Sequence, residues 1–310
     1  MRIQTIAALT DFSTGAEQAL DRAGLLARRH RAHLCLVYGA DATDPRFVNP
    51  QARLEQRARQ LARQHEIKVT TREFDDSDSV AERVLAAAAS ADLLVIDKRM
   101  ERDWARPWRG ALLGRCLRQS PCPVLVVQQP VSGAQAEDGE ADDYARMLVA
   151  VDGQPMSRQM VHYAGLLQGD AAVELFHTDE GGAVNDAQVD LRTLQEYRDE
   201  LQRGGGAERA LSMADMDDAR RNRVDSHLGT RDVARQLMVQ QQHSGADLIV
   251  IGARRNHWLD RWALAARATR LATNASCDVL VCGQLPQERE DHINPVMRFD
   301  KQKGWPQFRF

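Results

Sequence analysis

The sequence predicts an α/β protein made of two tandem, doubly wound domains, each a five-stranded parallel sheet. Three observations carry that prediction. Three apolar runs occur twice in the same order, the runs are continuous and not alternating, and helical patterns fill the intervals between them. Ile6-Ala7-Ala8-Leu9-Thr10-Asp11 corresponds to Met147-Leu148-Val149-Ala150-Val151-Asp152. Leu93-Leu94-Val95-Ile96-Asp97 corresponds to Leu248-Ile249-Val250-Ile251-Gly252, and Ala-Asp precedes both. Pro123-Val124-Leu125-Val126-Val127 corresponds to Asp278-Val279-Leu280-Val281-Cys282. The interval from Asp97 to Val124 and from Gly252 to Val279 is 27 residues in each copy. Repetition of this kind marks one architecture used twice.

Continuous runs of Leu, Ile and Val read as strands buried on both faces, the habit of parallel sheets. After the first run, Thr14-x-x-Glu17 forms a capping-box pattern, and Ala16, Leu20, Ala23, Leu26 and Ala27 follow at helical spacing. Leu34–Tyr38 is the second strand. Val80–Ala89 is a helix, capped by Asp78 or Ser79, that leads into the Ala-Asp turn and the strand ending at Asp97. In the second copy Pro155 takes the early-helix position after Asp152-Gly153, and Met160, Tyr163, Ala164 and Leu167 continue the pattern. Val173–His177 and the helix Val233–His243 complete the correspondence. The second copy is longer around Val189–Arg223, a polar helical pattern interrupted by Gly204-Gly205-Gly206. The resulting boundaries are residues 1–129, a linker at 130–143 without apolar periodicity, residues 144–284, and a tail at 285–310 carrying Trp305, Phe308 and Phe310.

Composition narrows the function classes. The 310 residues are 43% hydrophobic and 27% charged, with a formal net charge of −3, which disfavours a dedicated nucleic-acid binder. No run approaches the roughly 18 apolar residues of a membrane span, and the opening Met1-Arg2-Ile3-Gln4-Thr5-Ile6 lacks an export signal. A cytoplasmic protein without membrane contact is therefore expected. Five cysteines lack paired metal spacing, and the expected state is buried, reduced thiol. His162, His177, His227 and His243 show no metal-binding spacing, while His30 and His33 sit where a helix C-terminus accepts positive charge. The acidic clusters Asp75-Asp76-Ser77-Asp78 and Asp215-x-Asp217-Asp218 lack the spacing of a calcium loop. No nucleophile elbow or Walker loop is present, so the sequence names no reaction.

Thr10-Asp11-Phe12-Ser13 after the first strand, Ala-Asp-Leu-Leu-Val-Ile before a polar loop, and Ser120-Pro121-Cys122-Pro123-Val124-Leu125-Val126-Val127 at the last strand resemble universal stress protein domains. The chain as a whole resembles a tandem member of that superfamily, with a Rossmann-like, adenine nucleotide alpha hydrolase-like fold. The resemblance implies an internal pseudo-dimer joined through Val124–Val127 and Val279–Cys282. It also implies a nucleotide site formed by an Asp after the first strand and a Gly-x-x-Gly-x9-Gly-Ser loop after the fourth, whose backbone cradles phosphate.

Carried onto this chain, that site comprises Asp11, Val37 and Gly110 in the first half and Asp152, Gly252, Arg254 and Arg255 in the second. The loops depart from the pattern. They read Asp97-x-x-Met100-x9-Gly110-Ala111 and Gly252-x-x-Arg255-x9-Ala265-Ala266, and a shifted alignment offers Gly114-Arg115. Asp97 places a carboxylate where phosphate would lie, and neither loop keeps the hydroxyl. Asp11 and Asp152 equally suit turns and helix caps. Arg and Trp residues in the loops, among them Arg99, Trp104, Trp108, Trp258 and Trp262, suit either a partner surface or packing on the sheet. Two readings follow. One is a non-catalytic stress-response protein without cofactor, acting through protein partners; the other is an ATP or AMP sensor, or a weak ATPase, using the cleft at Asp11 or Asp152. A homodimer of the whole chain is compatible with both.

Overall fold

The computed structural model describes residues 2–40, 49–72, 79–98, 112–128, 144–151, 155–169, 171–177, 196–197, 199, 212–213, 233–253 and 267–283. The expected linker and tail, the acidic clusters and the four loop tryptophans lie outside these residues.

The first half runs β1 (Thr5–Thr10), α1 (Thr14–His30), β2 (His33–Tyr38), α2 (Pro50–His65), β3 (Val69–Thr71), α3 (Val80–Ala88), β4 (Leu93–Asp97), α4 (Leu112–Gln119) and β5 (Val124–Val127). The second runs β6 (Arg146–Val151), α5 (Pro155–Gln168), β7 (Ala172–His177), β8 (Ser212–Met213), α6 (Val233–Ser244), β9 (Leu248–Ala253), α7 (267–274) and β10 (Asp278–Gly283). All ten strands form one sheet in the order β3-β2-β1-β4-β5-β10-β9-β6-β7-β8. Pairing is parallel within each half and antiparallel where β5 meets β10, with Leu125 opposite Leu280. The expected pair of five-stranded domains is therefore present, joined edge to edge through their last strands.

Both faces of the sheet are covered, which explains the unbroken apolar runs. Residues of α1, α2 and α5 pack on one face, among them Leu20, Leu54, Leu61 and Val161. Residues of α3, α4, α6 and α7 pack on the other, among them Val84, Leu113, Leu237 and Leu271. β4 and β5 are buried along their whole length.

The repeated Ala-Asp has a physical cause. Asp92 Oδ2 accepts from the backbone N–H groups of Gln4 and Thr5 at 2.9 and 3.0 Å. Asp247 does the same for Ala145 and Arg146 at 2.7 and 3.1 Å. Each carboxylate thus clamps the start of the neighbouring first strand, and the buried alanine before it lets the turn close against the core.

Four local readings change or sharpen. The cap of α1 is Ser13, whose side chain accepts from Ala16 N; Thr14 lies inside the helix, and Glu17 instead pairs with Arg57 at 2.7 Å. Ser79 caps α3 in a full capping box with Glu82. Ser212–Met213 forms an edge strand inside the stretch expected to be helical. His30 is not the charged partner of its helix end: burial, reinforced by Arg29 and Arg2, lowers its pKa to about 4. Here desolvation outweighs the helix dipole.

Two outcomes follow. Asp92→Ala and Asp247→Ala should each lower the free energy of unfolding by about 1–3 kcal/mol in urea titrations, because each leaves two strand N–H groups without their carboxylate. In the unfolded chain His30 takes up a proton near 6.5, and in the folded chain only at about 4. Between those values the unfolded chain binds more protons, so stability falls as pH drops. His30→Gln should flatten that acid limb in melts recorded from pH 7 to 4.

Candidate functional site

In an open α/β sheet, ligands bind beyond the carboxyl ends of the strands, at the point where strand order reverses. That point lies between β1 and β4 in the first half and between β6 and β9 in the second. The sequence places Asp11 and Asp97 at the first, and Asp152 and Gly252 at the second.

The turn after β1 is tightly held. Thr10 Oγ1 accepts from Phe12 N at 3.0 Å, and Asp11 Oδ1 accepts from Ser13 N at 2.9 Å. Phe12 has φ 61°, a left-handed conformation that disfavours a side chain by roughly 1–2 kcal/mol. Its ring contacts compensate. Phe12 lies 5.5 Å from the Tyr38 ring, Arg53 stands 4.7 Å over Phe12, and Arg83 stands 6.0 Å over Tyr38. Arg83 is itself buried and donates to the Ala40 carbonyl at 2.7 Å. This ladder of cations and rings joins α2, the turn, β2 and α3 above the ends of β1 and β2. Asp11 is half-buried, with its carboxylate anchoring the turn that precedes α1. Val37 is buried with its side chain in the core, so it can offer a ligand only its backbone.

Asp97 closes β4 and is 3% exposed. Its carboxylate lies against Gly15, in the first turn of α1: a β-carbon on Gly15 would sit 2.3 Å from Asp97 Oδ2 and 2.6 Å from Cγ. The first turn of a helix has unsatisfied N–H groups and the positive end of the dipole, which together favour an anion. In this half that place is taken by the chain's own Asp97 side chain.

The second half fills the same place differently. A β-carbon on Gly252 would sit 2.8 Å from Met156 Cγ and 3.0 Å from Met160 Sδ, both on α5. By the repeat, Gly252 corresponds to Asp97 and Met156 to Gly15. Strand and helix have exchanged sizes. One half pairs a large strand residue with a helix glycine, and the other pairs a strand glycine with a large helix residue. The carboxylate in the first is replaced by a thioether in the second.

The remaining site residues are partly placed. Gly110, Asp152, Arg254 and Arg255 lie outside the described residues. Gly114, the shifted-alignment glycine, is buried inside α4 with Thr269 of α7 3.8 Å from its would-be β-carbon, so it serves helix packing across the join. Lys98 donates to Gln128 Oε1 at 3.0 Å and is thereby turned toward the join. All five cysteines are free thiols, and burial pushes those of Cys116 and Cys277 up to about 12, which leaves them protonated and unreactive. Among the described residues, no group of three His, Cys, Asp or Glu side chains could hold a metal ion, and no helix is long and apolar enough to cross a membrane.

The size exchange was not anticipated from the loop motifs, because Gly15 and Met156 lie on the helices and not in the loops. Aligning the two copies through α1 and α5 would have revealed it.

Comparison with known proteins agrees with this fold. No curated protein matches the chain. Among solved structures, a universal stress protein from Archaeoglobus fulgidus DSM 4304 is similar over 92% of this chain and 98% of its own, at 15% identity and a TM-score of 0.64. A functionally unknown protein from Pseudomonas aeruginosa PAO1 is similar over 95% and 96%, at 19% identity and a TM-score of 0.56. The cytoplasmic domain of a prokaryotic cation chloride cotransporter is similar over 96% and 100%, at 13% identity and a TM-score of 0.51. At these identities the likeness is one of fold. The model of the universal stress protein family matches residues 2–128 and again residues 143–283. With that family covering most of its length in two successive segments, the chain belongs to the universal stress protein family as a tandem member.

Proposed function

We propose that this chain is a non-catalytic, stress-response regulatory protein that acts through contacts with other proteins, without holding nucleotide as a cofactor. The observation that carries this reading is that the chain's own side chains lie against a glycine at both switch points, Asp97 against Gly15 and Met156 with Met160 against Gly252. A phosphate approaching the first turn of α1 meets the buried Asp97 side chain already in that place. In the second half it meets apolar sulfur and methylene groups that cannot replace its water.

A second reading, an ATP or AMP sensor, is favoured by one observation. Asp11 stays half-exposed beside the switch point, where Gly39 N donates to Thr10 O at 2.7 Å at the adjoining ends of β1 and β2, so its carboxylate is accessible to a ligand there. Calorimetric titration with ATP and with AMP at millimolar ligand, with and without magnesium, separates the two. The regulatory reading expects flat titrations. Saturating heat below about 100 µM, lost in Asp11→Ala, would establish the sensor, since such a site would stabilise the fold by more than about 1 kcal/mol at millimolar ligand.

The filling itself is testable by stability. Gly15→Ala gains roughly 1 kcal/mol of helix propensity but forces overlap with a buried carboxylate, which costs about 1–3 kcal/mol. The expected net result is a loss in urea unfolding. Adding Asp97→Gly to Gly15→Ala should recover most of it, because the pair then has the size order of Met156 and Gly252. A Gly15→Ala protein as stable as the parent would mean that Asp97 does not hold that place.

A further inference from the structure

The join between the halves is polar at one end and apolar at the other. Asp278 opens β10 and is 1% exposed. Its Oδ1 accepts from Gln128 N at 2.8 Å and its Oδ2 accepts from the Tyr144 hydroxyl at 2.9 Å. Arg22, on α1 of the other half, brings Nε to 3.5 Å from the same Oδ2, and its guanidinium lies 4.6 Å over the Tyr144 ring. Burial, and then the Asp278 charge, push the Tyr144 pKa well above its ordinary value, so the phenol remains a donor. Gln128 also crosses the join, donating from Nε2 to the Ala272 carbonyl at 2.8 Å.

The repeat supplies the counterpart of each residue. Arg22 corresponds to Tyr163, Asp278 to Pro123, and Tyr144 to Ile3. All three counterparts are buried. The strands between the two ends cannot discriminate, since Val-Leu-Val-Val of β5 and Val-Leu-Val-Cys of β10 present nearly the same edge. Their register is also symmetric: Leu125 faces Leu280, and these are equivalent positions. A first half joined to another first half would bury Arg22 against Pro123 and Ile3 in place of the Asp278 carboxylate and the Tyr144 ring. A second half joined to another second half would bury Asp278 and Tyr144 against Tyr163 in place of the Arg22 guanidinium. Breaking a buried ion pair in this way is strongly unfavourable, whereas the union of unlike halves cancels the two charges.

We propose that the Arg22–Asp278–Tyr144 cluster is a pairing code, selecting the union of unlike halves over the union of like halves, both within a chain and between two copies of it. Such codes work by penalising the wrong partner as much as by rewarding the right one.

The test uses full-length chains with reversed charges. Arg22→Asp and Asp278→Arg are prepared singly and together, refolded alone and as a one-to-one mixture, and read by native mass spectrometry and thermal melting. Each single variant faces a like charge at the join, and is expected to melt below the parent and to dimerise no more than it. In the mixture the complementary halves belong to different chains, so the heterodimer is expected to exceed either homodimer by about tenfold or more. The double variant in one chain is expected to regain most of the lost melting temperature. Homodimers as abundant as the heterodimer, or a double variant that melts no higher than the worse single one, would overturn the code. Should the reversals fail to fold, Arg22→Gln, Asp278→Asn and their combination form a double-mutant cycle. Denaturant midpoints that shift less in the combination than the two single shifts together support the coupling, and additive shifts overturn it.

Discussion

The antiparallel pairing of β5 with β10 is the contact on which the rest of the molecule depends. A parallel sheet that ends in a fully apolar strand has an exposed row of unpaired backbone groups and two bare faces beside it. Each half solves this problem for the other. The pairing places α1 beside α5 on one face and α4 beside α7 on the opposite face, where Arg29 reaches the Leu167 carbonyl at 3.1 Å and Gly114 approaches Thr269. The switch points, two strands away on either side, take their geometry from this common frame. Among the described residues the outer edges are short, three residues in β3 and two in β8.

Much of this was legible in the sequence, for an identifiable reason. Strands buried on both faces must be apolar throughout, so β1, β4, β5 and their counterparts stand out as unbroken runs. The Ala-Asp pairs were visible as a repeat, although their role as strand clamps needed coordinates. By contrast, α2 was not assigned. Its buried positions are only Leu54, Ala58, Leu61 and His65 in a helix otherwise rich in Arg and Gln, and so narrow a stripe gives little periodicity. β3 has three half-buried residues and no signal of its own. The cap of α1 was misassigned by one residue because Ser13 and Thr14 are both competent caps, and only the backbone decides between them.

The site was legible on one side only. The loop comparison identified Asp97 as a departure from a phosphate cradle and Gly252 as the glycine its counterpart loop keeps, since those positions belong to the motif itself. What completes each pair lies in the first turn of α1 or α5, at positions the motif does not include. Arg22 and Asp278 escaped for a related reason. Each is an unremarkable charged residue in its own segment, and only the fold brings the two segments together across a seam with no sequence proximity.

The exchanged sizes at Gly15 and Asp97, and at Met156 and Gly252, bear on how two copies of one domain can diverge. Converting either arrangement into the other takes two substitutions, and the order matters. If the helix residue enlarges first, it meets a full site and the fold is overfilled. If the strand residue shrinks first, the intermediate carries glycine on both sides and leaves the crevice vacant. The path between the two halves that avoids overfilling therefore crosses a state with glycine at both positions, so the strand residue has to yield before the helix residue can grow.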